Sequence, residues 1–359
     1  MVVVGLNGSK MTDYKHLHMR IDYLNSISKS RSFLMGIAII WVFMLHSPKS
    51  GLSILDFISS FGWCGVDIFI FLSSIGLCYS LNKNPSTISF VKRRFIRIIP
   101  TWLVVLIGVH VIGAIVVFIK PELPFYYPHS PYQLICWYTG IGYWISDFVS
   151  GQKYEYFYEW YIPTLLLFYS FAPYLFKQGK KTLVVLFVLS VIITELMSFY
   201  QVLYYLHFTY QRIPIFILGF IVYRYSSLLV ANSKENRLLM KVIIVLFFAS
   251  LFLLFLKCSS GFVISKTIVA LFMIPLPLFA VSCIKQMSSI SLIGKVSLEL
   301  YLIHLYGRPQ YLVSLFVNNV LLSNILAFFL CLVVAYVFHQ IMKRVNDYTV
   351  GILSPQESI

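Results

Sequence analysis

Five ionisable residues lie in or at the ends of long apolar runs, and their types are those of acid–base chemistry: His46, Asp67, Glu159, Glu195 and Arg212. An ionisable group in a hydrophobic span is costly unless it is partnered or used. His46 closes the run R-S-F-L-M-G-I-A-I-I-W-V-F-M-L-H that starts at Arg31, about 22 Å along a helix. Asp67 lies within two turns of the start of the next run, which reads back in the opposite direction. A histidine and a carboxylate at one depth suit general-base chemistry, with the imidazole taking a proton and the acid orienting the ring. Glu159, Glu195 and Arg212 fall at the same level on three further runs, although Glu159 and Arg212 also fit side chains that snorkel from a helix end.

A second constellation is cationic. Arg94 and Arg97 stand three apart in F-V-K-R-R-F-I-R-I-I-P and so share one helical face. Paired guanidiniums grip phosphate in a forked geometry. Lipid headgroups would satisfy them as well as a phosphorylated ligand does.

The elements that must position these groups are apolar helices. The chain has 359 residues, of which 59% are hydrophobic and only 11% charged, which excludes a soluble globule. Continuous apolar runs of roughly 17–22 residues recur, long enough to span a bilayer and without the alternation of a β-barrel. The expected fold is all-α and polytopic, with about ten spans near 31–47, 61–81, 98–119, 160–176, 182–199, 212–225, 239–256, 266–284, 294–316 and 322–342. Of the 28 Lys and Arg, 21 then fall on the N-terminal side. This bias predicts cytoplasmic termini and a multi-pass protein of the plasma (inner) membrane.

The same bias accounts for the net charge of +15 without a nucleic-acid partner. Residues 132–149 would invert it if they spanned, so 120–159 is expected to be an outer interfacial or re-entrant region. Residues 1–30 and 343–359 are expected to be cytoplasmic segments flanking a membrane domain at 31–342. The opening M-V-V-V-G-L is too short and uncharged for a signal peptide. The six cysteines, with no C-x-x-C, read as apolar filler; no metal site is expected.

Six segments taken in order resemble the acyltransferase 3 family of multi-pass membrane acyltransferases, which acylate sugars of surface or exported glycans. L34-M35-G36-I37-A38 leading to His46 resembles the family's L-R-G-x-A…H. G65-V66-D67-I68-F69-I70-F71-L72-S73-S74 resembles G-V-D-x-F-F-x-x-S-G, and Arg94, Arg97, Ile98 and Pro100 resemble R-x-x-R-I-x-P. E159-W160-Y161 with Tyr169 and Pro173, R212-I213-P214-I215-F216 with Gly219, and G294 to H304 (G-K-V-S-L-E-L-Y-L-I-H) resemble its later landmarks. Two positions depart: the arginine eleven residues before the histidine is Met35, and the second-span glycine is Ser74.

The resemblance implies a donor of acetyl-CoA or another short acyl-CoA, used as a substrate, with no bound cofactor. Arg94 and Arg97 would hold its phosphates, with Arg31 substituting for the cation missing at Met35. His46 with Asp67 would be catalytic. Ser73, Glu159, Trp160, Glu195, Arg212, Tyr301 and His304 would support the site or receive the acceptor, a sugar hydroxyl of a capsular, lipopolysaccharide or other exported glycan. Tyr and Trp side chains of 125–161 would stack on sugar rings, a role that an interfacial aromatic belt shares. Partners beyond the bilayer would be a second copy of the chain or glycan-assembly machinery. Two alternatives are a transporter or flippase for lipid-linked glycan, and an inactive homologue acting as a complex subunit.

Overall fold

The computed structural model describes residues 21–119, 130–148, 160–225, 230–231, 267, 270–271, 274, 286–307 and 309–353. Its centre is a helix with no polar face. α4 (Trp63–Lys83) buries fifteen of its 21 residues, on every side of its circumference, as a helix apolar all round must. It follows α1 (Tyr23–Lys29), α2 (Arg31–His46) and the short α3 (Ser53–Ser60). α2, α8 (Tyr161–Lys177) and α11 (Ile213–Arg224) pack against α4. α5 (Thr87–Ile119) carries Pro100 in its interior, which leaves the Ile96 carbonyl without its helical N–H.

α6 (Pro131–Thr139) and α7 (Ile141–Ile145) are joined through Gly140 at φ 70°, and neither is long enough to cross a bilayer. α9 (Lys180–Phe199) packs on α11, and α10 (His207–Tyr210) lies between them in the chain. The C-terminal part holds α12 (Ser288–Lys295), α13 (Ser297–Gly307), α14 (Pro309–Ser314) and α15 (Val320–Leu353). A two-residue antiparallel pairing of β1 (Ile21–Asp22) with β2 (Val230–Ala231) sets Ile21 opposite Ala231.

Eight of the expected spans fall on these helices. Those near 239–256 and 266–284 lie outside the described residues or almost so. Among the described residues, four segments are long and apolar enough to cross a membrane: Ser53–Lys83, Thr87–Ile115, Lys180–Phe199 and Val320–Val345. The span expected at 294–316 is not one helix. It breaks at Val296, where α12 ends and a new helix starts at Ser297. The last span runs on to Leu353.

α12 and α2 form the closest crossing. A Cβ on Gly36 would strike the Ile290 carbonyl, and one on Gly294 would strike the Ser32 carbonyl. The two glycines let antiparallel backbones touch, the small-residue packing that apolar helices use where lipid supplies no hydrophobic drive. α13 then turns back parallel to α2, and this return sets the site.

Candidate active site

Four helices bring cations to one cavity of ≈ 590 Å³: Arg31 from α2, Arg93, Arg94 and Arg97 from α5, Lys295 from α12 and Lys343 from α15. Spacing alone had grouped Arg94 with Arg97; the fold adds Arg31. Its guanidinium packs over Gly76 of α4, 3.7 Å from where a Cβ there would stand, and its buried Nε has no hydrogen-bond partner among the described residues. Met35, one turn further along α2, lines the same cavity. Arg31 therefore enters the space that the motif's own arginine would enter, about 6 Å lower. Ser73, Thr101, Tyr161, Tyr169 and Tyr301 continue the wall. Ser74, the other departure, donates its hydroxyl to the Phe71 carbonyl and packs against Gly219 of α11, so a side chain at that position is absorbed by the space Gly219 leaves.

Tyr301 is where the cavity meets the histidines. Its ring lies 5.6 Å from that of His304, edge to face, and 4.6 Å from that of Tyr161. His304 is 2% exposed, walled on another side by Phe43. Its Nδ1 is 2.9 Å from the Leu300 carbonyl, and its Nε2 is 3.1 Å from Nδ1 of His46.

These contacts fix the tautomers. A carbonyl only accepts, so Nδ1 of His304 carries the proton and its Nε2 the lone pair. His46 must then donate from Nδ1, which leaves the lone pair of its neutral ring on Nε2. His46 itself is exposed, at the end of α2. The pair gives a proton-accepting nitrogen whose ring is held by a buried neighbour, the orientation that general-base chemistry requires.

Asp67 stands elsewhere. Gly62 of α4 packs beside Trp41 and Leu45, and Gly65 beside Ala38 and Val42, so α4 starts about a turn below the end of α2. Asp67 is thereby about 12 Å further into the bundle than His46. Counting depth from the chain set the two level because it took α4 to begin at the membrane edge; α3 instead brings the chain back against α2. Oδ1 of Asp67 lies 3.2 Å from Nε of Arg212, both side chains almost fully buried. This is a charge contact rather than an aligned hydrogen bond, since Nε lacks hydrogen-bond geometry to any acceptor among the described residues.

Arg212 has further partners on the neighbouring helices. Its Nη1 donates to the Phe208 carbonyl at 2.8 Å, and its guanidinium sits 4.6 Å over the Trp160 ring. Trp160 in turn stacks on Phe208. Nearby, the Tyr143 and Thr164 hydroxyls both meet that of Thr209. Burial pushes the Tyr143 phenol up to about 12, so it stays a neutral donor or acceptor. Asp147 accepts from the backbone N–H groups of Tyr205 and Leu206, tying α7 to the chain entering α10. Glu195 is half-buried on α9, next to Thr194, whose hydroxyl donates to the Tyr210 carbonyl. Glu159 lies outside the described residues.

One pair at the cavity went unread in the sequence. Nδ1 of His339, on α15, is 2.8 Å from Oε1 of the buried Glu299, on α13, and both residues line the cationic cavity. The available signal was spacing: His339 and Lys343 are four apart on a largely apolar helix and share a face; Glu299 stands just past the turn that separates it from Lys295. His110, by contrast, is hydrogen-bonded to the Tyr138 hydroxyl at 2.8 Å and rests against Trp137, seating α6 on α5.

Apolar helices thus enclose a cation-lined cavity with a histidine pair behind its Tyr301 wall, an arrangement suited to group transfer at a membrane. The chain belongs to the acyltransferase 3 family: the family model described as an acyltransferase domain matches residues 33–342, nearly the whole of it. Membership makes it an acyltransferase and a membrane protein. Comparison with curated proteins and with solved structures finds no match.

Proposed function

We propose that the protein is a membrane O-acyltransferase that moves an acetyl or other short acyl group from acyl-CoA to a sugar hydroxyl of an exported glycan. The observation that carries this reading is the His46–His304 pair, 3.1 Å apart, standing behind the wall of a cavity with six cations at its other end. Arg94, Arg97 and Arg31 hold the donor's phosphates, a task for forked guanidiniums. The charge bias of the loops puts that mouth on the cytoplasmic side, where acyl-CoA is made. The acyl end passes Tyr161 and Tyr301 to reach the histidines.

There, Nε2 of His46 removes the proton from the acceptor hydroxyl as its oxygen attacks the thioester carbonyl. The C–S bond breaks, the ester forms, and the sulfur takes the proton from His46, so no proton is gained or lost overall. Nε2 of His304 accepts the Nδ1–H bond throughout, and that bond strengthens when His46 is charged. The Asp67–Arg212 pair, set against Trp160, fixes α4, α8 and α11 around the acceptor end rather than handling the proton.

The experiment is transfer of label from radiolabelled acetyl-CoA to purified surface glycan by membranes holding the protein. Labelled sugar from wild type and none from His46→Ala is the expected result. Equal labelling by both ends the assignment of the base. Mass and NMR analysis of glycan from a deletion strain then identifies the hydroxyl and the acyl group.

A further inference from the structure

We propose that Glu299, held by His339, is the contact for the uncharged arm of the donor and so sets which part of the ligand enters the bundle; the inference rests on the acyl-CoA reading above. A buried carboxylate is out of place in a cavity built only for phosphate, because it repels the same anion that the surrounding cations attract. Its position resolves the conflict.

One turn toward the histidines from Arg31, Arg97 and Lys343, the next residue on the same face is uncharged or a histidine: Met35, Thr101 and His339. Lys295 closes α12 and Glu299 stands in the first turn of α13, past the turn at Val296, and both line the cavity. The cavity therefore changes character within about 6 Å. A cationic mouth gives way to a layer whose charged group is an acceptor, and beyond it stand Tyr161, Tyr301 and the histidine pair.

The matching ligand is anionic at one end and, next to that, uncharged and rich in hydrogen-bond donors. Coenzyme A has this order: a phosphorylated nucleotide, then a pantetheine arm with two amide N–H groups and a hydroxyl, then the thioester. Oε1 of Glu299 is taken up by His339 at 2.8 Å. A carboxylate still has acceptor capacity on its second oxygen, and a hydrogen bond from an amide N–H to a charged acceptor is stronger than one to a neutral acceptor. A phospholipid fits the mouth but not this layer, since its chains bring no donor to a buried acceptor. The carboxylate thus favours the arm in the interior and turns back the phosphates.

The test compares two probes on the full-length protein in detergent or nanodiscs: coenzyme A, and adenosine 3′,5′-bisphosphate, which carries the anionic end without the arm. Glu299→Gln keeps the shape of the side chain and removes its charge. The expected result is about tenfold weaker binding of coenzyme A, with bisphosphate binding unchanged within about twofold or tighter. An equal loss for both probes would mean that Glu299 only maintains the cavity, and unchanged coenzyme A binding would mean that the arm does not touch it. Either overturns the inference and leaves the donor assignment standing. Wild-type protein that binds neither probe overturns the donor assignment itself.

Discussion

Replacing His304 with phenylalanine isolates the histidine pair. Phenylalanine fills nearly the same volume among Phe43, Tyr301 and the Leu300 turn, so packing survives while the acceptor for His46 Nδ1 disappears. Two losses follow. The neutral His46 ring loses the His304 acceptor that selects the tautomer with its lone pair on Nε2, and the charged ring loses that hydrogen bond at the moment the acceptor hydroxyl gives up its proton. A hydrogen bond to a charged group is worth about 1.5–3 kcal/mol, and about 1.4 kcal/mol is a factor of ten in rate. The expected fall in kcat is therefore about 10- to 150-fold, less than the 10²–10⁴ that removal of the base itself costs. Because His304 lies behind Tyr301 rather than among the cavity residues, KM for acyl-CoA should stay within about twofold. Initial rates with labelled acetyl-CoA at saturating glycan separate the two constants. An unchanged kcat refutes the pairing argument, and a raised KM with unchanged kcat would make His304 part of the donor site.

Three further outcomes follow from the same geometry. Arg31→Met should raise KM for acyl-CoA about tenfold, and adding Met35→Arg should recover most of it, since both positions line one cavity a turn apart; no recovery would mean that Arg31 does not do the missing arginine's work. Asp67→Asn leaves the buried Arg212 without its counter-charge and should cost about 3–5 kcal/mol of stability. Thermal unfolding in detergent should register that loss, and pairing it with Arg212→Met should return much of it; a variant of normal stability with a lost kcat would instead make Asp67 part of the chemistry. The rate should rise with pH through the range in which imidazole loses its proton, because only neutral His46 accepts one. A profile that falls over that range would exclude His46 as the base.

The histidine, the paired arginines and the apolar helices that carry them were legible because each is a local property: a residue type, a spacing of three, a run of a given length. What the sequence hid depends on how helices slide past one another. His46 and Asp67 were set level by counting residues from assumed membrane edges, and the register of α4 against α2, fixed where Gly62 and Gly65 pack, moves them apart. His304 stood in view as the end of a motif, but its partner 258 positions away could not be read without the return of α13 along α2. The break at Val296, inside the span expected at 294–316, has no proline to mark it and was outweighed by the apolarity of the segment around it. Glu299 and His339 were passed over for the same reason as Arg31's neighbours: a face shared by cations on four helices exists only once the four are packed.

The use of a second histidine, rather than a carboxylate, to hold His46 has an electrostatic reason. Burying one charge in an apolar bundle costs several kcal/mol even after relaxation, so a carboxylate placed behind His46 would have to be matched at rest by a cation or a proton. A neutral imidazole orients its partner equally well through one hydrogen bond and needs no counter-charge. Charge then develops at His46, on the exposed end of α2, only while a proton is in transit. Of the carboxylates the bundle does bury, Asp67 is matched by Arg212 and Glu299 is held by His339 beside the cations. The cations it cannot match stand at the cavity mouth, where the donor's phosphates would supply the opposite charge. Each dry part is close to neutral in the state it occupies longest. On that argument a carboxylate at position 304 should cost stability as well as rate: His304→Asp should lower the thermal unfolding temperature where His304→Phe does not, and equal unfolding temperatures would show that the pocket behind His46 is wet enough to hold a charge.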